Sequence, residues 1–67
     1  MTEEQAKSLM VAGCQMIYEG ITYSHVESVR IRYNRKEHRY EIDLVLKDLR
    51  ANSVTAAPAD RCIPVPL

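Results

Sequence analysis

The first twenty residues place apolar side chains with the period of an α-helix. Apolar or small residues recur at spacings of three and four along one face: Ala6, Leu9, Met10, Gly13, Met16 and Ile17. Thr2 and Gln5 have the spacing of a capping box, and Gly20 suits the left-handed position that ends many helices. The pattern therefore predicts an amphipathic helix over residues 3–19.

From residue 23 onward the period shortens to two, which is typical of half-buried strands. Apolar side chains alternate with charged or polar ones in two runs, at Val29, Ile31 and Tyr33 and at Tyr40, Ile42, Leu44 and Leu46. Because the polar residues 35–38 separate the runs, we predict a β-hairpin over residues 23–48. The alternation also predicts that the apolar residues of both runs face the core.

Charge complementarity between the two runs predicts the register of the hairpin. The register that sets unlike charges against each other has these pairs: Tyr33 with Tyr40, Ile31 with Ile42, Arg32 with Glu41 and Arg30 with Asp43. A slip of one residue would set apolar side chains against charged ones along the whole hairpin. Val26 has the wrong parity for the apolar face, so we predict a β-bulge near Glu27 and Ser28.

The C-terminal part of the chain has shorter patterns. Residues 53–55 favour a third short strand, and Pro58 suits the first position of a helical turn over residues 58–61. Pro64 and Pro66 lack an N–H donor, so we expect a frayed, extended C-terminus. The whole chain is expected to be one α+β domain: a helix at 3–19, a hairpin at 23–48 and a short strand and turn at 52–63, with the helix packed on a small antiparallel sheet.

Composition excludes several classes of function. Nine basic side chains balance nine acidic ones, so no overall field attracts nucleic acid or an anionic membrane. The longest apolar runs are far shorter than the ~20 residues of a membrane-spanning helix. With two cysteines and no secretory signal pattern, the expected compartment is the cytoplasm, where thiols are reduced.

The residues with metal-binding or nucleophilic chemistry form no recognisable site. Cys14, His25, His38 and Cys62 lack the close ligand pairs of a zinc site. The predicted hairpin also sets the two histidines roughly 25 Å apart. Cys62 follows Arg61, which could lower the pKa of the thiol and leaves a redox or regulatory role as a minor hypothesis. We predict no catalytic residue, no metal and no cofactor, and hence no enzyme.

Two surface features remain as candidate binding sites. Val11 and Tyr18 lie seven residues apart, so on the predicted helix they would form an apolar ridge outside the main face. The ridge is either a pair of tolerated exposed residues or a contact for a partner. The second feature is the basic stretch 30–39. If Arg30 and Arg32 are paired across the strands, the cations free for phosphates are Arg35, Lys36 and Arg39.

These observations favour a small, non-enzymatic, intracellular module for protein–protein interaction. We expect it to form a homodimer, to bind another protein, or both, and not to bind a membrane. The alternative hypothesis is a weak nucleic-acid-binding protein that uses the basic hairpin 30–39.

Overall fold

The computed structural model describes residues 1–66. In chain order its elements are α1 (Glu3–Ala12), β1 (Met16–Tyr18), β2 (Ile21–Tyr23), β3 (His25–Asn34), β4 (Arg39–Lys47), β5 (Val54–Pro58), a 3₁₀ turn (Ala59–Arg61) and β6 (Ile63–Pro64). The strands form two three-stranded antiparallel sheets, in the orders β2-β1-β6 and β3-β4-β5. The predicted α+β class, with one helix on a small antiparallel sheet, is confirmed.

Two stretches of chain pass from one sheet to the other. Only Ser24 separates β2 from β3, and its N–H donates to the carbonyl of Lys47 at 2.9 Å. The 3₁₀ turn joins β5 to β6 in the same way. Because β1 pairs with β2 and β6 while β4 pairs with β3 and β5, the pairing runs around the molecule as a small barrel. Its largest fully buried side chains are Met16, Val26, Leu44 and Leu46.

The start of α1 agrees with the prediction. The hydroxyl of Thr2 accepts a hydrogen bond from the N–H of Gln5 at 3.1 Å, and the Gln5 side chain accepts one from the N–H of Thr2 at 2.9 Å. These reciprocal bonds satisfy two of the donors that a helix start leaves free. Glu3 and Glu4 occupy the first turn, where the helix dipole favours negative charge.

The predicted end of the helix is wrong. The helix ends at Ala12, because Gly13 adopts a left-handed conformation with φ of 68° and its N–H donates to the carbonyl of Leu9 at 3.2 Å. Residues 16–18 were predicted to be helical and instead form β1, in which Met16 is fully buried. The apolar spacing continues past the true end and so suggests seven further helical residues.

Gly20 has a different role from the predicted helix end. Glu19 and Gly20 both have positive φ, of 52° and 77°, and connect Tyr18 of β1 to Ile21 of β2. Two central residues with positive φ are the signature of the tight turn that matches the twist of a hairpin. The first hairpin of the barrel therefore begins within the segment that was predicted to be helix.

The register of the long hairpin is confirmed in full. β3 and β4 pair as predicted, from Asn34 opposite Arg39 through Tyr33 opposite Tyr40 to Val29 opposite Leu44. The register shifts between Val26 and Ser28, which is the predicted bulge. The bulge turns Val26 into the core, where it is almost completely buried.

The segment after the hairpin confirms two predictions and corrects a third. β5 is the predicted third strand, and the 3₁₀ turn at Ala59–Arg61 is the predicted helical turn after Pro58. The tail is more ordered than predicted, because β6 pairs with β1 and the N–H of Val65 donates to the carbonyl of Gln15 at 2.8 Å. Pro64 fits there because β6 lies at the edge of its sheet. Leu67, the end of the predicted frayed terminus, lies outside the described residues.

The prediction that the whole apolar face of the hairpin is buried is correct for only half of its length. Leu44 and Leu46 lie in the core, whereas Ile31, Tyr33 and Tyr40 are exposed. The difference arises because β3 and β4 extend beyond the rest of the barrel. This extension forms the most distinctive surface of the molecule.

Candidate interaction surface

The extended part of the hairpin is a two-stranded ribbon, formed by residues 30–34 of β3 and 39–42 of β4, with residues 35–38 as its tip. β5 accompanies β4 only as far as the pair Asp43 and Pro58, and β3 is an edge strand of its sheet. Within residues 1–66, the ribbon therefore has no third strand on either side. Isolated two-stranded hairpins are marginally stable in water, so this ribbon depends on the barrel at its base.

One side of the ribbon is apolar and open to solvent. Ile31 is 46% exposed, Tyr33 50% and Tyr40 72%. The two tyrosine rings contact each other edge to face, with centroids 5.2 Å apart and planes at 67°. Ile42 continues the surface toward the core and is partly buried. We call Ile31, Tyr33, Tyr40 and Ile42 the apolar face.

The N-terminus of α1 reaches part of the apolar face. Glu3 lines a shallow depression there together with Ile31, Tyr40 and Ile42. The carboxylate of Glu3 also forms an exposed ion pair with Lys7, at 3.1 Å. Neighbouring Glu4 is exposed and forms no ion pair within residues 1–66. Glu3 therefore borders the apolar face, whereas Glu4 lines separate depressions with Ser8 and Ala12 of α1.

The opposite side of the ribbon is charged, and Arg32 organises it. The Arg32 guanidinium binds the Asp43 carboxylate through two contacts, Nε to Oδ2 at 2.7 Å and Nη2 to Oδ1 at 3.2 Å. A third contact joins Nη2 to Oε2 of Glu41 at 3.5 Å. The hydrogen bond and the negative charge of Asp43 raise the pKa of Arg32 above its ordinary value. Asp43 is buried, so this pairing compensates a desolvated charge.

The predicted ion pair between Arg30 and Asp43 is wrong. The two residues do lie opposite each other in the register, but Arg32 holds the carboxylate of Asp43 diagonally. Arg30 is exposed and forms no ion pair within residues 1–66. Long arginine side chains reach diagonal neighbours across a sheet, so register alone does not identify the partner.

The tip of the ribbon is structured and positively charged. The side-chain oxygen of Asn34 accepts hydrogen bonds from the N–H groups of Lys36 at 3.0 Å and Glu37 at 3.1 Å. These side-chain hydrogen bonds to the backbone stabilise the turn, in which the strands no longer pair. The predicted free cations Arg35, Lys36 and Arg39 are all exposed and form no ion pairs among the described residues.

The helical ridge predicted for Val11 and Tyr18 does not form, because only Val11 lies in α1. Val11 lies in the last turn of α1 and is 85% exposed. Tyr18 lies on β1, is half-buried and has a raised pKa because of partial burial and the adjacent carboxylate of Glu19. The helical spacing that would align the two residues ends at Gly13.

The predicted hint of thiol chemistry is not supported at Cys62. The residue is buried, and its thiol donates to the carbonyl of Pro58 at 3.3 Å. Burial, together with the nearby charge of Asp43, raises the pKa of the Cys62 thiol. Raised pKa and low access both disfavour a reactive thiolate, in contrast to the effect expected from Arg61.

Sequence reasoning missed a short hydrogen-bonded chain at the start of β3. The hydroxyl of Ser24 lies 3.0 Å from Nδ1 of His25, and Nε2 of His25 lies 2.9 Å from Oε2 of Glu27. These are the residue types of a nucleophile, a base and an acid. However, the His25 and Glu27 side chains are 39% and 51% exposed, so water competes for both bonds. The arrangement is best explained as support for the bend between β2 and β3.

The remaining polar features carry no clear ligand chemistry. A cleft of about 410 Å³ follows the free edge of β4 and is closed by residues 58–61 and Met1. Its walls carry charges of both signs, and the Met1 ammonium binds Asp60 and lowers the pKa of that carboxyl. Residues 1–66 contain no cluster of three side chains able to hold a metal ion.

No helix within residues 1–66 is long and apolar enough to cross a membrane. No protein-family model, curated protein or solved structure matches the chain.

Proposed function

We propose that this chain is a self-associating protein–protein interaction module whose contact surface is the apolar face of the ribbon. The observation that carries the proposal is the exposure of Ile31, Tyr33 and Tyr40, at 46%, 50% and 72%. Contiguous apolar patches with a polar rim mark interaction sites on soluble proteins. Tyrosine suits such sites because it combines a large apolar ring with a polar end.

The apolar face is also prepared for binding before a partner arrives. The cross-strand contact of Tyr33 with Tyr40 restricts both rings, and the ion pairs of Arg32 hold the strands together on the opposite side. Side chains that are already ordered lose less conformational entropy on association. The surface proposed from the sequence, Val11 with Tyr18, is replaced by this one.

The test compares the wild-type chain with a Tyr33→Thr/Tyr40→Thr variant by sedimentation velocity over a wide concentration range. Threonine keeps a high strand propensity but removes the rings. Ile21→Thr is the matched control, since Ile21 is 56% exposed on β2, away from the ribbon. We expect association of the wild type and the control, and a monomeric double variant with unchanged circular dichroism. A wild type that stays monomeric, or a double variant that associates equally well, would contradict the proposal.

A second candidate function is weak binding to nucleic acid. It is favoured by four exposed cations without ion pairs among the described residues, one more than the sequence predicts: Arg30, Arg35, Lys36 and Arg39. In the strand register, however, the tyrosines occupy one side of the ribbon while Arg30 and Arg39 occupy the other. A single strand would have to wrap around the ribbon to stack on the rings and contact both arginines.

Titration of a labelled single-stranded oligonucleotide distinguishes the two functions. Four phosphate contacts predict a slope of about −3 in log affinity against log salt. We expect no binding at physiological salt. Micromolar binding that is lost in an Arg35→Ala/Lys36→Ala/Arg39→Ala variant would favour the second function.

A further inference from the structure

We infer that the apolar face binds a second copy of this chain with the two ribbons antiparallel, so that each basic tip lies over the acidic start of the partner's α1. The inference rests on the proposed function and adds the identity of the partner and its orientation. It depends on the position of charges at the two ends of the apolar face.

The two ends of the apolar face carry opposite charges. Arg35 and Lys36 lie at the tip, exposed and without ion pairs among the described residues, and they outnumber the one carboxylate of the tip, Glu37. Glu3 lies beside Ile31, Ile42 and Tyr40, and Glu4 follows it on the first turn of α1, so two carboxylates outnumber the one cation of this part of α1, Lys7, which pairs with Glu3. A partner of matching chemistry must therefore present an apolar surface with an acidic end toward the tip and a basic end toward α1. A second copy meets this requirement when it is turned end to end.

The dimensions of the ribbon agree with such a contact. Ile31 and Asn34 are separated by roughly 10 Å, at ~3.3 Å per strand residue. The apolar face lies between the charged ends. A two-fold axis near its centre would therefore bring the tip of each copy to the start of α1 in the other copy. In a symmetric dimer each complementary contact occurs twice. A parallel arrangement would instead set tip against tip and acidic end against acidic end.

The small apolar face predicts a weak and salt-sensitive dimer. Four side chains from each copy cover less than the ~800 Å² per partner of a standard interface. Exposed charge pairs are screened by salt, so we expect the dimer dissociation constant to rise with ionic strength. A phosphate backbone is a less suitable occupant, because Glu3 borders the apolar face.

Charge reversal at the two ends tests the orientation. The tip variant is Arg35→Glu/Lys36→Glu and the helix variant is Glu3→Lys/Glu4→Lys. In the antiparallel dimer each variant alone creates two repulsive contacts, so each should weaken dimerisation on the order of tenfold or more. An equimolar mixture of the two variants should dimerise about as well as the wild type, because all end contacts are again complementary. A chain that carries all four substitutions should recover in the same way.

Two controls separate orientation from other effects. Glu19→Lys changes the net charge in the same direction as the helix variant, but in the turn between β1 and β2, outside the ribbon, and should leave dimerisation unchanged. If lysine at the helix start disturbs α1 by circular dichroism, Glu3→Gln/Glu4→Gln keeps the side-chain shape and should still weaken the dimer, by a smaller factor.

Each outcome of the sedimentation experiments has a definite meaning. Recovery in the mixture after loss in each single variant supports the antiparallel dimer. The antiparallel arrangement is overturned if both charge variants associate normally, or if both lose association and their mixture does not recover it. In either case the proposed function stands if Tyr33→Thr/Tyr40→Thr still abolishes association. A wild type that does not associate overturns the proposed function and this inference together.

Discussion

The two halves of the β3–β4 hairpin share one sequence pattern but lie in opposite environments. Both halves alternate apolar and polar residues, and both keep the predicted register. In the barrel half, Val26, Leu44 and Leu46 are at most 2% exposed, whereas Ile31 and Tyr40 of the ribbon are 46% and 72% exposed. Alternation therefore identifies which side of a strand is apolar, and neighbouring elements decide whether that side is covered.

The cause is a difference in length between the hairpin and its neighbours. β3 has ten residues, about 33 Å of strand, while α1 has ten residues, about 15 Å of helix. β5 leaves β4 at Pro58, and α1 reaches the ribbon with its first turn, at Glu3. The uncovered part is the surface that we assign to self-association.

The largest expected effect concerns burial. Leu44→Ala should lower the free energy of unfolding by about 2–5 kcal/mol, because it leaves a cavity in the core. Ile31→Ala should cost less than about 1 kcal/mol, because Ile31 is half-exposed in the monomer. Urea denaturation at low protein concentration measures both. Equal costs for the two variants would mean that the ribbon is covered in solution and would remove the distinction between the halves.

The second-largest expected difference between the two halves of the hairpin is in local opening of the backbone. Backbone amides that pair across the ribbon, in 30–34 and 39–42, should exchange with solvent about tenfold or more faster than those in 43–46. The reason is that the ribbon has few buried contacts and no third strand within residues 1–66. Hydrogen exchange by NMR in dilute solution measures the difference. Exchange in the ribbon should slow as protein concentration rises, since self-association covers its apolar face.

The two arginines of the charged side provide a matched pair. Arg32→Met should lower the melting temperature by several degrees, because it leaves buried Asp43 without its partner. Arg30→Met is the matched change in the same strand. It should leave the melting temperature nearly unchanged, because Arg30 is exposed and forms no ion pair within residues 1–66. Differential scanning calorimetry measures both variants. Equal shifts would show that Asp43 does not depend on Arg32.

The smallest effect is expected at the end of the barrel away from the ribbon, at Asp48. The N–H groups of Arg50 and Ala51 donate to its carboxylate at 2.9 and 3.1 Å and lower the pKa of Asp48 below its usual 3.8. Since the folded pKa is depressed, this stabilisation is complete above pH 3.8 and is lost as pH falls through the folded pKa.

Asp48→Asn keeps an oxygen acceptor but removes the titration. We therefore expect the variant to be slightly less stable than the wild type near neutral pH, to lose less stability below about pH 4, and to approach the wild type there. Urea midpoints measured across this range test the expectation. A steeper acid loss in the variant would contradict the sign of the pKa shift.

The predictions that the structure confirms have a different physical origin from those that it corrects. The start of α1, the hairpin register and the bulge at Glu27 were all predicted correctly, because each depends on residues close in sequence or on the periodic pairing of two neighbouring strands. Cap chemistry and cross-strand charge pairing are local energies, and one sequence contains them in full. The position of the basic tip was predictable for the same reason.

The candidate site was predicted only in part. The sequence identified Arg35, Lys36 and Arg39 as free cations, but it placed Ile31, Tyr33 and Tyr40 in the core and named Val11 with Tyr18 as the contact surface. Burial depends on how far other elements extend along the hairpin, and a single sequence does not state those distances. The hydrogen-bonding partner of Asp43 likewise depended on the reach of Arg32 in three dimensions.

The sequence by itself determined the α+β class, the capped start of the helix and the pairing of the long hairpin. The tertiary structure decided where the helix stops, because residues 16–18 bury Met16 by pairing with β2 and β6 rather than by extending α1. It also ordered β6 at the C-terminal end and left the ribbon uncovered. Helical spacing at Met16 and Ile17 was outweighed because two strand pairings and a buried side chain stabilise these residues more than one further helical turn would.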